Sequence, residues 1–399
     1  MPVSRYIKET MNSKGSGVIR KMFEEGVALK KQYGEDKVFD FSLGNPDLDP
    51  PEGVASAIAR IAAVREKNWH GYMPNAGYPF ARDAMAAKTA KEQGVPVTGD
   101  CVVMAVGAAG ALNSLLKAIL NEGDNVVVPA PFFAEYSHYV HNYGGTLVPV
   151  PTKADFSLDI DGIAAALTDK TAAVLINSPN NPTGRVYPQK DIDALAAAMN
   201  AHAARCGRKP YLILDEPYRA IAYDGIKVAA AFPAYDSAIV VTSFAKNLSL
   251  PGERIGYVCV NPACPDKADV VAAVIFCTRI LGYVNAPALM QRVVAESWDA
   301  PADYSLYKKR RDELVAILDE AGVEHASPEG AFYMWCKVPA SFKGDDMDFA
   351  DYLKKYLILC APGTGFGGKG WFRLAYCVSE QSILNSRGAW IKAMAGLRG

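Results

Sequence analysis

A single lysine, Lys246, lies in a short segment between two apolar, strand-like runs. The first run is rich in β-branched residues and ends at Thr242, and the second spans residues 255–260. An uncharged amine at the edge of a buried sheet could attack a carbonyl and form a Schiff base. Ser243 and Arg254 flank it with a hydroxyl and a guanidinium, which together suit a phosphate. Taken alone, the segment is more typical of a surface lysine. The interpretation as a Schiff-base lysine therefore depends on the other motifs.

Two further polar motifs follow apolar runs. Asp215 ends the run 211–215 and is followed by Glu-Pro-Tyr218. Burying an ionised carboxylate there costs free energy unless a cation pairs with it, and a protonated ring nitrogen could be that cation. Residues 177–184, Asn-Ser-Pro-Asn-Asn-Pro-Thr-Gly, follow the run 173–176. They fit a simple tight turn, but the two prolines fix the backbone and could direct an Asn amide over the strand end.

The composition limits the possible classes of protein. The chain has 399 residues and a mass of 42.9 kDa, which predicts two or three lobes. A net charge of −1 and a pI near 6.5 give no electrostatic case for nucleic acid or an anionic membrane. Residues 1–20 lack the apolar core of a signal peptide, and no apolar run is long enough to span a membrane. The eight scattered cysteines favour buried free thiols over zinc or disulfides, so we expect a cytoplasmic protein without a metal.

Strand-like and helical stretches alternate over much of the chain. This pattern predicts an α/β fold with a mostly parallel seven-stranded sheet and helices on both faces, in a large domain of residues 51–287. Residues 1–50 and 288–399 are expected to form a smaller α+β domain that closes over the substrate. The predicted strands are 101–106, 125–128, 145–150, 173–177, 211–215, 238–242 and 255–260. The predicted helices include 52–64, 110–120, 131–142, 159–168, 188–205, 288–322 and 379–397.

In order along the chain, Asn181, Asp215, Tyr218, Lys246 and Arg254 resemble the motifs of the class I/II, fold-type-I aminotransferases that use pyridoxal phosphate, the aspartate-aminotransferase-like group. The resemblance covers nearly the whole chain, and the spacing of eight residues between the lysine and the arginine is highly specific (254 − 246 = 8). It implies pyridoxal 5′-phosphate as cofactor, and ping-pong transfer of an amino group from an L-amino acid to a 2-oxo acid, expected to be 2-oxoglutarate. It also implies a homodimer.

The resemblance implies catalytic roles for the matching residues. Lys246 would form the Schiff base with the cofactor and move the substrate proton. Asp215 would keep the pyridine nitrogen protonated, so that the ring acts as an electron sink. Asn181 and Tyr218 would hydrogen-bond the phenolic oxygen of the ring.

The resemblance also assigns the phosphate and the ring face. Phe133 would stack on the ring, although an ordinary core phenylalanine is an alternative. Alanines 108 and 109 stand where relatives often carry hydroxyl or amide side chains, so the phosphate would depend more on the backbone at a helix start. The residues that match the phosphate site are Gly107, Ala108, Ala109, Ser243 and Arg254.

Further matches concern the substrate and the partner subunit. Arg373, with Asn181 and the backbone of Gly44, would bind the substrate α-carboxylate. Tyr72 would reach the cofactor phosphate of the neighbouring subunit. Arg279 lies near the region where dicarboxylate enzymes supply a second arginine, but an ordinary surface arginine fits it at least as well, and neighbouring aromatic residues point to a neutral or aromatic side chain.

The sequence also bears on three other functions. A carbon–sulfur β-lyase would use the same cofactor, although Asp-Glu-Pro-Tyr218 favours transamination. A cofactor-sensing regulator would need a DNA-binding module, and because the enzyme-like sequence begins by about residue 38, none is expected within this sequence. Residues 363–368 fit the glycine pattern of a dinucleotide site, but a strand is predicted to follow instead of a helix, so a loop at the substrate entrance is expected.

Overall fold

A computed structural model describes residues 3–12 and 18–397. The helices among these residues are α1 (Arg5–Asn12), α2 (Val18–Tyr33), α3 (Glu52–Ala62), α4 (Pro79–Gln93), α5 (Gly107–Ile119), α6 (Tyr136–His141), α7 (Ile160–Ala166), α8 (Gln189–Cys206), α9 (Lys267–Ile280), α10 (Ala288–Ser297), α11 (Ser305–Ala321), α12 (Asp346–Lys354) and α13 (Glu380–Ala395). The strands are β1 (Phe39–Asp40), β2 (Val102–Ala105), β3 (Asn125–Ala130), β4 (Thr146–Pro151), β5 (Thr171–Asn177), β6 (Tyr211–Asp215), β7 (Ala238–Ser243), β8 (Gly256–Val260), β9 (Tyr333–Lys337), β10 (Ile358–Leu359), β11 (Ala361–Pro362) and β12 (Trp371–Ala375).

The large sheet has seven strands in the order β2-β8-β7-β6-β5-β3-β4. β8 runs antiparallel to both neighbours, and the other pairs are parallel. Apolar cores lie on both faces, and successive residues of β6 alternate between them. Leu212 and Leu214 contribute to one core and Ile213 to the other. The predicted α/β fold, with a mostly parallel seven-stranded sheet covered on both faces, is therefore confirmed.

Two smaller sheets share a separate apolar core with α11, α12 and α13. In one, β1 pairs in parallel with β10, which joins the N-terminal part of the chain to the C-terminal part at Phe39 and Ile358. In the other, β12 lies between β11 and β9, antiparallel to both. The division into domains at residues 51–287 stays a prediction.

Two predicted helices differ from the observed ones. The helix predicted over 131–142 begins only at Tyr136, because the backbone N–H of Phe132 donates to the carbonyl of Phe366 instead of entering a helix. The helix predicted over 288–322 is two helices, α10 and α11. The segment between them contains Pro301, which has no N–H to donate within a helix. No helix among residues 3–12 and 18–397 combines the length and apolar character that a membrane span requires.

Candidate functional site

A cavity of about 170 Å³ lies at the carboxyl ends of β5, β6 and β7, beside the start of α5. Parallel strands bring their carboxyl ends to one edge, which is why residues far apart in the chain meet there. Most residues predicted to bind a cofactor line it: Ala108, Ala109, Phe133, Asn181, Asp215, Tyr218, Ser243, Lys246 and Arg254. The rest of the lining is Leu112, Tyr139, Asn177, Pro217, Ala245 and Pro251.

Asp215 is a buried carboxylate at the end of β6. The phenol of Tyr136 donates to its Oδ2 at 2.5 Å, and the amide of Asn177 donates to its backbone carbonyl at 2.8 Å. Burial raises the pKa of the Asp215 carboxyl to about 7, and the hydrogen bond from Tyr136 opposes that rise. Its other oxygen, Oδ1, is buried without a hydrogen-bond partner among the described residues. The carboxylate therefore has one position left for a donor or cation from a bound group.

Lys246 follows β7 and is half-buried. Its Nζ donates to the carbonyl oxygen of Gly44 at 2.7 Å and lies 6.0 Å from the ring centroid of Tyr218. Burial lowers the pKa of the Lys246 amine to about 8, because a charged ammonium loses water contacts there. The amine is therefore far easier to deprotonate than a surface lysine.

The start of α5 carries groups that can bind an anion. Gly107, the first residue of α5, has a φ of 70°, and a Cβ at this position would lie only 2.9 Å from Nη2 of Arg254. The exposed guanidinium of Arg254 therefore packs closely against the helix start. The free backbone N–H groups of a helix start attract anions, and Ser243 adds a hydroxyl in the same lining. Gly107 itself is not part of the lining.

Arg373 lies in β12 and is buried. Its Nη1 donates to Oδ1 of Asn181 at 2.9 Å, and its Nη2 donates to the carbonyl of Ser42 at 2.8 Å. Its Cζ lies 4.5 Å from the ring centroid of Tyr333 and 4.7 Å from that of Phe366. The Nε of Arg373 is buried without a partner among the described residues. The structure thus brings two of the predicted substrate-binding residues into direct contact.

Other predicted residues lie apart from this contact. The carbonyl of Gly44 accepts from Lys246, and the role of Gly44 toward a substrate carboxylate stays a prediction. Tyr72 is 92% exposed and does not line the cavity of its own chain. Arg279 is exposed on α9, where its guanidinium lies 5.3 Å from the ring centroid of Phe276.

Several residues of the site were not predicted from the sequence. Tyr136 and Tyr139 come from α6 and carry no motif that marks them. Tyr333 comes from β9, over a hundred residues beyond its partner Tyr218, so no local pattern indicates the contact. Asn177 could have been found, because it ends β5 within a motif already singled out.

The chain belongs to the class I and II aminotransferases, whose family model matches residues 36–385. It is 35% identical to the probable aspartate/prephenate aminotransferase of Thermus aquaticus, over 86% of this chain and 88% of that protein. It is 33% identical to the aspartate/prephenate aminotransferase of Thermus thermophilus, over 90% of this chain and 91% of that protein. The protein is therefore a transaminase.

Solved structures agree with this assignment. An aminotransferase from Eubacterium rectale superposes with a TM-score of 0.94 at 36% identity, and the match covers 100% of both chains. The aspartate aminotransferase of Thermus thermophilus with maleate superposes with a TM-score of 0.87 at 29% identity, over 98% of this chain and 100% of that one.

Proposed function

We propose that the protein is a pyridoxal-5′-phosphate-dependent aminotransferase that moves an amino group from an L-amino acid to a 2-oxo acid, with 2-oxoglutarate as acceptor, in two half-reactions of ping-pong type. The observation that carries the proposal is the pairing of two groups in one cavity. An amine with a lowered pKa, Lys246, shares the cavity with a buried carboxylate, Asp215, that has one unpartnered oxygen.

The residues present fit this cofactor. The free oxygen of Asp215 can accept from a protonated pyridine nitrogen, and Arg254 with the start of α5 can hold the phosphate. Phe133 is half-buried in the lining and offers a ring face. Asn181 and Tyr218 would hydrogen-bond the phenolic oxygen. When bound, pyridoxal phosphate supplies an electron sink for the negative charge left on the substrate Cα after a proton is removed.

Lys246 would serve in two ways. Its neutral Nζ can attack a carbonyl carbon and so hold the cofactor between turnovers. With cofactor and substrate bound, Nζ would also be the base that accepts the proton from the substrate Cα and holds it for transfer. The lowered pKa matters for both, because each step needs the unprotonated amine.

Arg373 would hold the substrate α-carboxylate. A guanidinium can bind a carboxylate with two parallel hydrogen bonds, and the unpartnered Nε offers a donor for this. Arg373 also donates to Asn181, which is expected to lie beside the cofactor, so the substrate carboxylate would be bound close to the cofactor ring. Relatives named aspartate/prephenate aminotransferases make aspartate the first donor to test.

We also propose a homodimer in which Tyr72 contacts the phosphate in the neighbouring subunit. Its high exposure in a single chain supports this, because a tyrosine ring is seldom left so open to water. Mixing subunits tests it. Lys246→Ala and Tyr72→Ala homodimers should both have low activity, whereas a hybrid holds one site free of both substitutions. Recovery of activity toward half the wild-type value supports shared sites, and no recovery in confirmed hybrids contradicts them.

The experiment that tests the activity mixes the holoenzyme with each of the twenty amino acids. The visible absorbance of the bound cofactor should fall with the true donors and return when 2-oxoglutarate is added. Lys246→Ala is the control and should not turn over. Release of pyruvate and ammonia from cysteine or cystathionine without an acceptor would instead indicate a β-lyase.

A further inference from the structure

We infer that Tyr333 is a positioning residue of the transamination site, which donates its phenolic proton to Tyr218 and thereby directs the Tyr218 proton into the cavity. The inference rests on the proposed function. It adds a residue from the small antiparallel sheet to a site whose other hydrogen-bonding groups come mainly from the large one.

The contact is short and enclosed. The two phenolic oxygens lie 2.8 Å apart, and the rings meet edge to face with centroids 5.6 Å apart. Tyr333 is only 2% exposed and does not line the cavity, whereas Tyr218 does. Tyr333 can therefore act on a bound group only through the residues that it contacts, and Tyr218 is the one of these to which it is hydrogen-bonded.

The direction of the hydrogen bond follows from the number of partners. Among the described residues, each of the two hydroxyls has the other as its hydrogen-bond partner. Each phenol has one proton. One of the two protons forms the hydrogen bond between the oxygens, and the other needs a different acceptor. Burial raises the pKa of Tyr333 to about 12 and also raises the pKa of Tyr218 well above its usual value, so both phenols stay protonated near neutral pH. If Tyr218 donated, the proton of Tyr333 would be buried without an acceptor, which costs free energy.

The surroundings of Tyr333 hold its hydroxyl in place. A Cβ at Gly44 would lie 2.0 Å from the Tyr333 oxygen, so only glycine leaves room for the phenol. The carbonyl of the same glycine accepts from Lys246, and the guanidinium of Arg373 packs on the Tyr333 ring. Tyr333 thus contacts Tyr218, and it also contacts the groups that are expected to bind the substrate carboxylate.

The test uses the holoenzyme of Tyr333→Phe, which keeps the ring and removes the donor. The readout is the pH at the midpoint of the absorbance titration of the bound cofactor. A weaker Tyr218 donor stabilises the ionised phenolic oxygen less, so the midpoint should rise by roughly half a pH unit or more. We also expect kcat to fall more than KM rises. In a Tyr218→Phe background, Tyr333→Phe should cause no further shift.

The matched control is Tyr376→Phe, which removes a buried phenol that contacts Tyr223 and does not line the cavity. It should leave the midpoint unchanged. An unchanged midpoint in Tyr333→Phe, or an equal shift in the Tyr218→Phe background, would overturn the inference. If Tyr333→Phe does not fold, Gly44→Ala displaces the same hydroxyl and should raise the midpoint when Tyr218 is present but not in the Tyr218→Phe background. No shift, or an equal shift in both backgrounds, would also overturn the inference. A wild-type protein that binds no cofactor would overturn the proposed function instead.

Discussion

The phenol of Tyr136 donates to one oxygen of Asp215 at 2.5 Å, while the other oxygen of the same carboxylate is buried without a partner in the described part of the chain. The two residues come from α6 and β6, so the packing of a helix against the sheet sets the geometry. The protein provides a donor for one oxygen of the carboxylate and none for the other, in a residue that lines the cavity. A cationic donor from a bound group would pair with this second oxygen.

Asp215→Asn should separate stability from activity. Burial raises the pKa of Asp215 from 3.8 to about 7, so the folded, cofactor-free protein binds this proton more tightly than the unfolded chain. Stability from this group therefore falls as the pH rises between those values and stays low above them. At pH 8 the cofactor-free variant should melt no lower than wild type, while kcat falls by roughly a hundredfold or more. A variant that melts lower yet keeps its activity would contradict this prediction.

Tyr136→Phe should weaken cofactor binding. The substitution keeps the ring and removes a hydrogen bond to a carboxylate that must be ionised to hold a cation. A loss of roughly tenfold or more in affinity for pyridoxal phosphate is expected. Equilibrium dialysis with the cofactor measures it. The control is Tyr143→Phe, whose phenol donates to Asn113 outside the cavity. Equal losses in both variants would argue against a special role for Tyr136.

The rate of cofactor uptake should depend on the ionisation of Lys246. In the cofactor-free protein, burial lowers the pKa of this amine to about 8, and only the neutral form attacks an aldehyde. The second-order rate constant with pyridoxal phosphate should therefore rise about tenfold per pH unit below that value and level off above it. Stopped-flow absorbance measures the rate. A rise that continues to pH 10 would show that the amine has an ordinary pKa.

Gly107→Ala should impair phosphate binding beyond its effect on stability. Gly107 has a φ of 70°, so alanine there is strained by about 1 kcal/mol. Its Cβ would also lie 2.9 Å from Nη2 of Arg254, which must move. Gly94→Ala is the matched control, because that residue has a φ of 69° but open space around its Cβ.

Both glycine variants should lose similar stability in thermal denaturation, and only Gly107→Ala should bind pyridoxal phosphate more weakly. Pyridoxal without its phosphate should bind both proteins almost equally. If Gly94→Ala weakens cofactor binding as much as Gly107→Ala, the contact with Arg254 has no special importance.

The sequence predicts the large sheet well because its strands are short apolar runs bounded by turn residues. Each of the seven strands is present, with ends within two residues of the prediction. Polar residues at strand ends, such as Asp215 and Ser243, could be placed in one cavity because parallel strands end at one edge. The helix predicted over 131–142 was too long, since the hydrogen bond of Phe132 to Phe366 is a tertiary contact that local pattern does not show.

Residues that act through contacts between distant segments could not be predicted in this way. Tyr136 and Tyr333 are ordinary core tyrosines by composition and burial, and only the fold shows which atoms their hydroxyls reach. The carbonyl of Gly44 as the acceptor for Lys246 is a similar case, because any residue has a carbonyl. The lowered pKa of the lysine likewise depends on burial by segments far apart in sequence.

The most direct test of the central claim identifies the residue that bonds to the cofactor. The purified protein is incubated with pyridoxal phosphate, reduced with borohydride, digested and examined by mass spectrometry. We expect one modified peptide, with the phosphopyridoxyl group on Lys246, and none from the same segment of Lys246→Arg. Modification confined to other lysines, or a wild-type protein left unmodified, would contradict the account.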